Sequence, residues 1–389
     1  MVQRRKTNNN VIVFLYVLSA IYIVFRPFLI QFGFFDEIMV LLLALYSLKD
    51  ITFYKQKFVY YTGIILLLYL FYSLWINVTV RDAVFFDFLL FLKPFVSFFL
   101  AYYLSTNLNI KTKKILKLFF LILGIYCYFI LPYINDLYSN TAAYYPACII
   151  CSVSYLFFSE RTKKDWIISL IILIPGLFSV RAKFYTEFLF FAFIAFFVKK
   201  RIHVNIKYLI VFSILISFAI YINWDKFSMY FLFDEETKVG RSLFYIHSID
   251  ILRDFFPFGS GFGTFGTEAA AKYYSPLYSI YHMNNVWGLR EIDYGGTGHD
   301  FLKDTFYPVL AQFGVVGVFL FILFWRKIII MTKYLNIEKY KLAVFVIMIM
   351  FIQNIADNSF VGPLGVPCMM MIGFLLSNPK NTICSVHNP

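Results

Sequence analysis

The sequence predicts an all-α polytopic membrane protein with about twelve transmembrane helices, and three observations carry that prediction. Hydrophobic residues make up 61 % of the 389 positions, aromatic residues 22 %, and mean hydropathy is +0.72. A soluble domain is nearer half apolar, so this much apolar surface calls for lipid as its solvent. Apolar runs of spanning length recur along most of the chain. Finally, the basic residues gather in alternate connectors between those runs, the pattern of a chain that crosses and recrosses a bilayer.

The start, MVQRRKTNNN before an apolar run reaching about Ile30, has the shape of a signal peptide. It lacks a small-residue cleavage site and is read as a retained first span. Spans are expected at roughly 11–31, 34–48, 58–77, 84–104, 115–134, 142–158, 166–180, 184–198, 207–223, 308–325, 341–356 and 363–376. Several are short, which predicts kinks at Pro132, Pro146, Pro175 or Pro363, or incomplete crossing. With the N-terminus in the cytoplasm and sides alternating, 23 of the 35 basic residues fall on the cytoplasmic side, 10 fall outside, and Arg26 and Lys93 lie within spans. Both termini are then cytoplasmic. The net charge of +13 therefore reflects membrane orientation, and no nucleic-acid partner is expected.

This scheme divides the chain into 1–223 with spans one to nine, a large outer loop at 224–307, and 308–389 with spans ten to twelve and a cytoplasmic tail. The loop carries eleven acidic and seven basic residues, three of the five histidines and nine of the eighteen glycines. A loop this long is normally functional. Within it, 241–256 reads as an amphipathic helix ended by Pro257, suited to lying on the outer leaflet.

Several residues in and around the loop suit chemistry. Arg181 and Lys183 occupy a tight outer turn with Glu187 one helical turn on, and Arg241 opens the amphipathic helix. Outer cations of this kind snorkel to lipid phosphates, pair with Glu187, or clamp an anionic head group. Lys93, inside span four, either pairs with Asp87 or lines a polar cavity. The glycine run GSGFGTFG at 259–266 is either a turn returning the chain to the membrane or a nest of N–H groups for an anion. In TGHDFLKDTFYP, Thr297 and Asp300 form a capping pattern, and Asp304 stands one turn further on the same helix face. His299 suits a proton acceptor. His247 either pairs with Asp250 at i+3 or acts in its own right, whereas His282 falls in an uninformative stretch. The tyrosines of YYSPLYSIY either stack on sugar faces or pack the loop. Cys148 and Cys151 form CxxC without a second pair, so they read as buried small hydrophobes. No grouping has metal-ligand spacing, and neither metal nor cofactor is expected.

In topology and motif order the chain resembles the O-antigen polymerase and O-antigen ligase superfamily. The residues are Arg241 at the loop's start, Pro257-Phe258-Gly259-Ser260-Gly261-Phe262-Gly263, Asp304-Thr305-Phe306-Tyr307, Gln312-x-Gly-x-x-Gly at 312–317, and the Arg-bearing turn at 180–183. The Asp-Thr-Phe-Tyr form is nearer to the polymerases, whereas ligases place His near this point, and here His299 stands five residues earlier. The resemblance implies a metal-independent, type-C-like glycosyltransferase of the bacterial inner membrane. It implies donors and acceptors carried on undecaprenyl diphosphate and a chain-length regulator as a further partner, in making O-antigen or capsular polysaccharide. On that basis Arg181, Lys183 and Arg241 would hold the diphosphate, and Asp304, His299 or Asp300 would act on the acceptor. A ligase passing finished glycan to lipid A core or protein is the alternative within the family. A flippase for lipid-linked sugars is the alternative outside it, for which matching halves and midplane charges would be expected.

Overall fold

The computed structural model describes residues 10–29, 35–47, 56–104, 108–137, 143–201, 240–293, 300–303 and 305–377, with Ser217, Tyr221, Trp224 and Ser228 between them. Regular structure among the described residues is helical, without a strand. The longer helices are α1 (Asn10–Val24), α2 (Phe35–Ser47), α3 (Lys57–Ile76), α4 (Arg81–Leu104), α5 (Ile110–Ile130), α6 (Tyr144–Phe158), α7 (Lys163–Leu173) and α8 (Ala182–Phe197). After these come α9 (Gly240–Asp254), α10 (Gly314–Thr332), α11 (Ile337–Gln353) and α12 (Gly365–Leu376). Helices stand at eleven of the expected apolar segments, while the ninth, about 207–223, lies for the most part outside the described residues.

Among the described residues, four helical stretches are long and apolar enough to cross a membrane: Lys57–Ile76, Arg81–Leu104, Ile110–Leu137 and Pro308–Thr332. At about 1.5 Å rise per residue, twenty residues match a hydrocarbon core of roughly 30 Å. Helix α3 shows why lipid is the solvent: Leu68, Phe71 and Trp75 are 62–80 % exposed, while Tyr69, Leu70 and Ser73 are buried. A water-facing helix would turn its polar side outward. Prolines shape the shorter stretches. Pro132 lies in a 3-10 turn extending α5, Pro175 in another extending α7, and Pro363 in the connector before α12, whereas Pro146 sits in the first turn of α6 without breaking it. Helix α12 is buried along its whole length and packs along α4, so these two form the centre of the bundle.

The two ends of the bundle differ in chemistry. At one end helices begin at capping side chains, Asn109 for α5, a Thr162–Asp165 capping box for α7, and Asn336 for α11. Polar links join them: Lys117 to Asp165 at 2.7 Å and Trp166 Nε1 to Glu338 Oε2 at 2.7 Å. The opposite end carries the folded segment 240–293. That segment has a small core of its own, including Leu243, Phe244, Phe265, Leu277, Tyr278 and Met283. The amphipathic helix is present as α9. Part of its apolar face is covered by protein: Leu243, Phe244 and Ile251 are buried and α9 packs on the 3-10 turn Pro308–Phe313, while Ile249 is exposed.

Candidate functional site

The glycine run 259–266 is buried and docked onto the bundle. Its central N–H groups bond within the protein: Gly261 donates to the Gln312 carbonyl at 2.7 Å, Phe262 to Ser73 Oγ at 2.9 Å, and Gly263 to Asp87 Oδ2 at 2.7 Å. The acceptor this turn meets is thus an internal carboxyl group, that of Asp87. Asp87, fully buried on α4, also accepts from Gln312 Nε2 at 2.9 Å. One side chain thereby ties together α4, the glycine turn and the entry to α10. The turn of the folded segment is fixed in place by a buried polar centre, as unsatisfied groups in an apolar surround would be costly.

The same contacts explain the spacing of the two glycine motifs. Gly259 and Gly314 both take positive φ, +81° and +62°. A Cβ on Gly259 would lie 2.2 Å from the Gly314 nitrogen, and one on Gly314 would lie 2.2 Å from the Pro257 oxygen. The backbones of 257–263 and 312–317 interlock at a distance that only glycine permits. Helix α3 holds the pair, with Tyr69 OH donating to the Phe313 carbonyl and Tyr72 OH to the Gly259 carbonyl, both at 2.8 Å.

Beside this knot, at the same end, segments distant in sequence converge on the C-terminus of α11 and the connector after it. Lys183, in the first turn of α8, pairs with Asp357 at 2.9 Å and lies 5.5 Å from the Tyr145 ring centre. Glu187, one turn on and 1 % exposed, does not pair with Arg181 or Lys183; it accepts from Gln353 Nε2 at 2.7 Å, and Gln353 Oε1 in turn accepts from Tyr145 OH at 2.8 Å. Arg181 lies close enough to Tyr145 to act on it electrostatically. From α9, Tyr245 OH donates to the Ile355 carbonyl at 2.7 Å, and Arg241 stands one turn earlier on the same face. From the entry to α10, Tyr307 OH donates to the Phe351 carbonyl at 2.9 Å. Lys303 shares a cavity of about 50 Å³ with Glu268, Asn358, Val361 and Gly362. Lys183, Tyr245 and Tyr307 therefore all bind one stretch, 351–362, with Tyr145 bonded to Gln353 beside them.

Other expectations resolve differently. Lys93 pairs with Glu37 of α2 at 2.7 Å and not with Asp87, so it bridges two helices inside the bundle. His247 Nδ1 lies 2.9 Å from Asp250 and its ring stacks on Tyr281, a local structural role. Asp300 opens a single 3-10 turn, Asp300–Leu302, and Lys303 and residues 305–307 are not helical. His299 and Asp304 lie outside the described residues. Of the tyrosines in 273–281, Tyr278 packs in the segment's core, Tyr274 donates to the Leu289 carbonyl and Tyr281 to Asp254. Burial pushes the Tyr281 phenol up, with Asp254 adding to the shift. Arg290 holds the Asp293 carboxyl below its ordinary range, helped by the N–H groups of Gly288 and Arg290. Cys127, Cys148 and Cys151 are free thiols buried among the helices. Among the described residues, no group of three or more His, Cys, Asp or Glu is arranged to hold a metal ion.

Asp357 and Gln353 were not singled out from the sequence. The available signal was a cluster of polar side chains, Gln353, Asn354, Asp357 and Asn358, in a short connector between two apolar segments. No protein-family model, curated protein or solved structure matches this chain.

Proposed function

We propose that the chain is a polysaccharide repeat-unit polymerase, moving a growing glycan from its polyprenyl diphosphate onto a second lipid-linked repeat with inversion at the anomeric carbon. The proposed setting is a twelve-span protein of the bacterial inner membrane with both termini cytoplasmic and the folded segment outside. The observation that carries this function is the convergence on 351–362 of Lys183, of Tyr245 one turn beyond Arg241, and of Tyr307. The interlock of 257–263 with 312–317 adds to it, since the motifs behind the family resemblance form one structural unit.

The chemistry asked of such a site is modest. A diphosphate is already a good leaving group, so the transition state needs positive charge on the departing oxygens and a base for the acceptor hydroxyl. Guanidinium groups suit the first task because their planar fork matches phosphate oxygens. Asp304 and His299 are the sequence's candidates for the second. Purified protein supplied with lipid-linked repeats tests this: Arg181→Ala and Arg241→Ala are expected each to lower turnover by about 100-fold or more, as for loss of a transition-state donor. Unchanged turnover in both variants would remove the clamp. Asp304→Asn and His299→Ala both active would leave the base to a residue outside this motif. Transfer of preformed polymer without growth would indicate a ligase, and substrate crossing vesicles without bond formation a flippase.

A further inference from the structure

Resting on the polymerase reading, we propose that Asp357 is the base that takes the proton of the acceptor sugar hydroxyl, and that Lys183 positions it. Both Asp357 oxygens are oriented. Oδ2 faces Lys183 Nζ at 2.9 Å, and Oδ1 accepts the Asn358 N–H at 2.8 Å. A carboxylate oxygen has two acceptor directions, so each keeps one for a further donor. The side chain is 45 % exposed, while Lys183 beneath it is 17 % exposed. The carboxylate is therefore fixed from below and open from above.

A purely structural role for this ion pair is hard to sustain. The tie between α8 and the end of α11 is already made one turn deeper, where Gln353 Nε2 donates to Glu187 at 2.7 Å with both side chains buried. A half-exposed pair adds less than that buried link. Next to it, Glu187 Oε2 is buried with no hydrogen-bond partner among the described residues. Asp357 also stands at the meeting point of the site. Tyr245 of α9, one turn beyond Arg241, is bonded to Ile355, and Asn358 lines the cavity that contains Lys303.

The step balances without a further reactant. The acceptor O–H proton passes to an Asp357 oxygen as the hydroxyl oxygen forms the new bond to the anomeric carbon. The bond from that carbon to the diphosphate oxygen breaks, and its electron pair leaves with the polyprenyl diphosphate. Lys183 holds the carboxylate in the orientation the transfer needs. It does not serve the diphosphate, so the clamp rests on the arginines.

The test uses the full-length protein in vesicles with polyprenyl-diphosphate-linked repeats as donor and acceptor. Asp357→Asn is expected to lower kcat by about 100–10,000-fold, the usual worth of a positioned base, with KM little changed. Lys183→Arg should retain more activity than Lys183→Met. The exchanged pair Lys183→Asp with Asp357→Lys restores the salt bridge with its charges reversed. It should melt like the wild type and remain inactive. Asp357→Asn within roughly 3-fold of wild-type turnover would overturn the assignment. So would recovery of activity by the exchanged pair, which also decides the matter if Asp357→Asn folds poorly. Wild-type protein that forms no glycosidic bond would defeat the polymerase reading and this assignment with it. An active wild type with an active Asp357→Asn would remove the base alone.

Discussion

Replacing Asp87 by Ala should loosen the folded segment from the bundle while leaving the far end of the bundle intact. The side chain is fully buried and accepts two hydrogen bonds, from Gly263 N–H at 2.7 Å and Gln312 Nε2 at 2.9 Å. Alanine leaves both donors buried without an acceptor, and each such group costs about 1–3 kcal/mol, or roughly 2–6 kcal/mol together. Asparagine keeps an acceptor oxygen in place and should cost only about 1 kcal/mol. Hydrogen exchange reads the effect locally. The Gly263 amide is protected by this bond, so even the lower figure predicts exchange roughly 30-fold faster over 259–266. Peptides from 110–130, at α5, serve as the control. Unchanged protection at 259–266 in Asp87→Ala would refute the assignment of Asp87 as the anchor of the turn.

Three further outcomes follow from the same contacts. Gly314→Ala forces a Cβ to within 2.2 Å of the Pro257 oxygen at a φ of +62°; backbone strain alone is about 1–3 kcal/mol. Thermal denaturation in detergent should fall clearly below wild type, and an unchanged midpoint would contradict the interlock. The Asp293 carboxyl is held below its ordinary range by Arg290, so its contribution is complete above that range and is lost as pH falls through the lowered value. Protease resistance of 286–293 should therefore decline at acid pH in the wild type, with Asp293→Asn showing no such step; equal profiles would count against it. Lys93→Met leaves Glu37 without its 2.7 Å partner, and with Glu37 32 % exposed the cost should be about 2–3 kcal/mol, below that of a fully buried pair. Adding Glu37→Gln should recover part of the loss, and strict additivity would argue against coupling.

Hydropathy located the helices well because an apolar run of spanning length has few other uses. Helices stand at eleven of the expected segments, and α9 begins at Gly240 and ends at Asp254, close to the expected 241–256. Which surface α9 meets was not legible. Leu243, Phe244 and Ile251 look the same whether covered by lipid or by protein, and only the contact with Pro308–Phe313 decides it. The glycine run was recognised as special, but its acceptor was Asp87, 176 positions earlier in the chain. Pairings were least legible. Lys93 chose Glu37 over the nearer Asp87, and Lys183 chose Asp357 over Glu187, since sequence separation says little about which helices become neighbours. Asp357 escaped notice because it belongs to no glycine, histidine or arginine motif.

Growth of a glycan on lipid-linked single repeats, with no other acceptor present, tests the central proposal most directly. The proposal predicts a ladder of lipid-linked oligomers differing by one repeat with purified wild-type protein, and single repeats only with Arg241→Ala. Single repeats persisting with active, folded wild-type protein, or a ladder unaffected by Arg241→Ala and Arg181→Ala together, would contradict it.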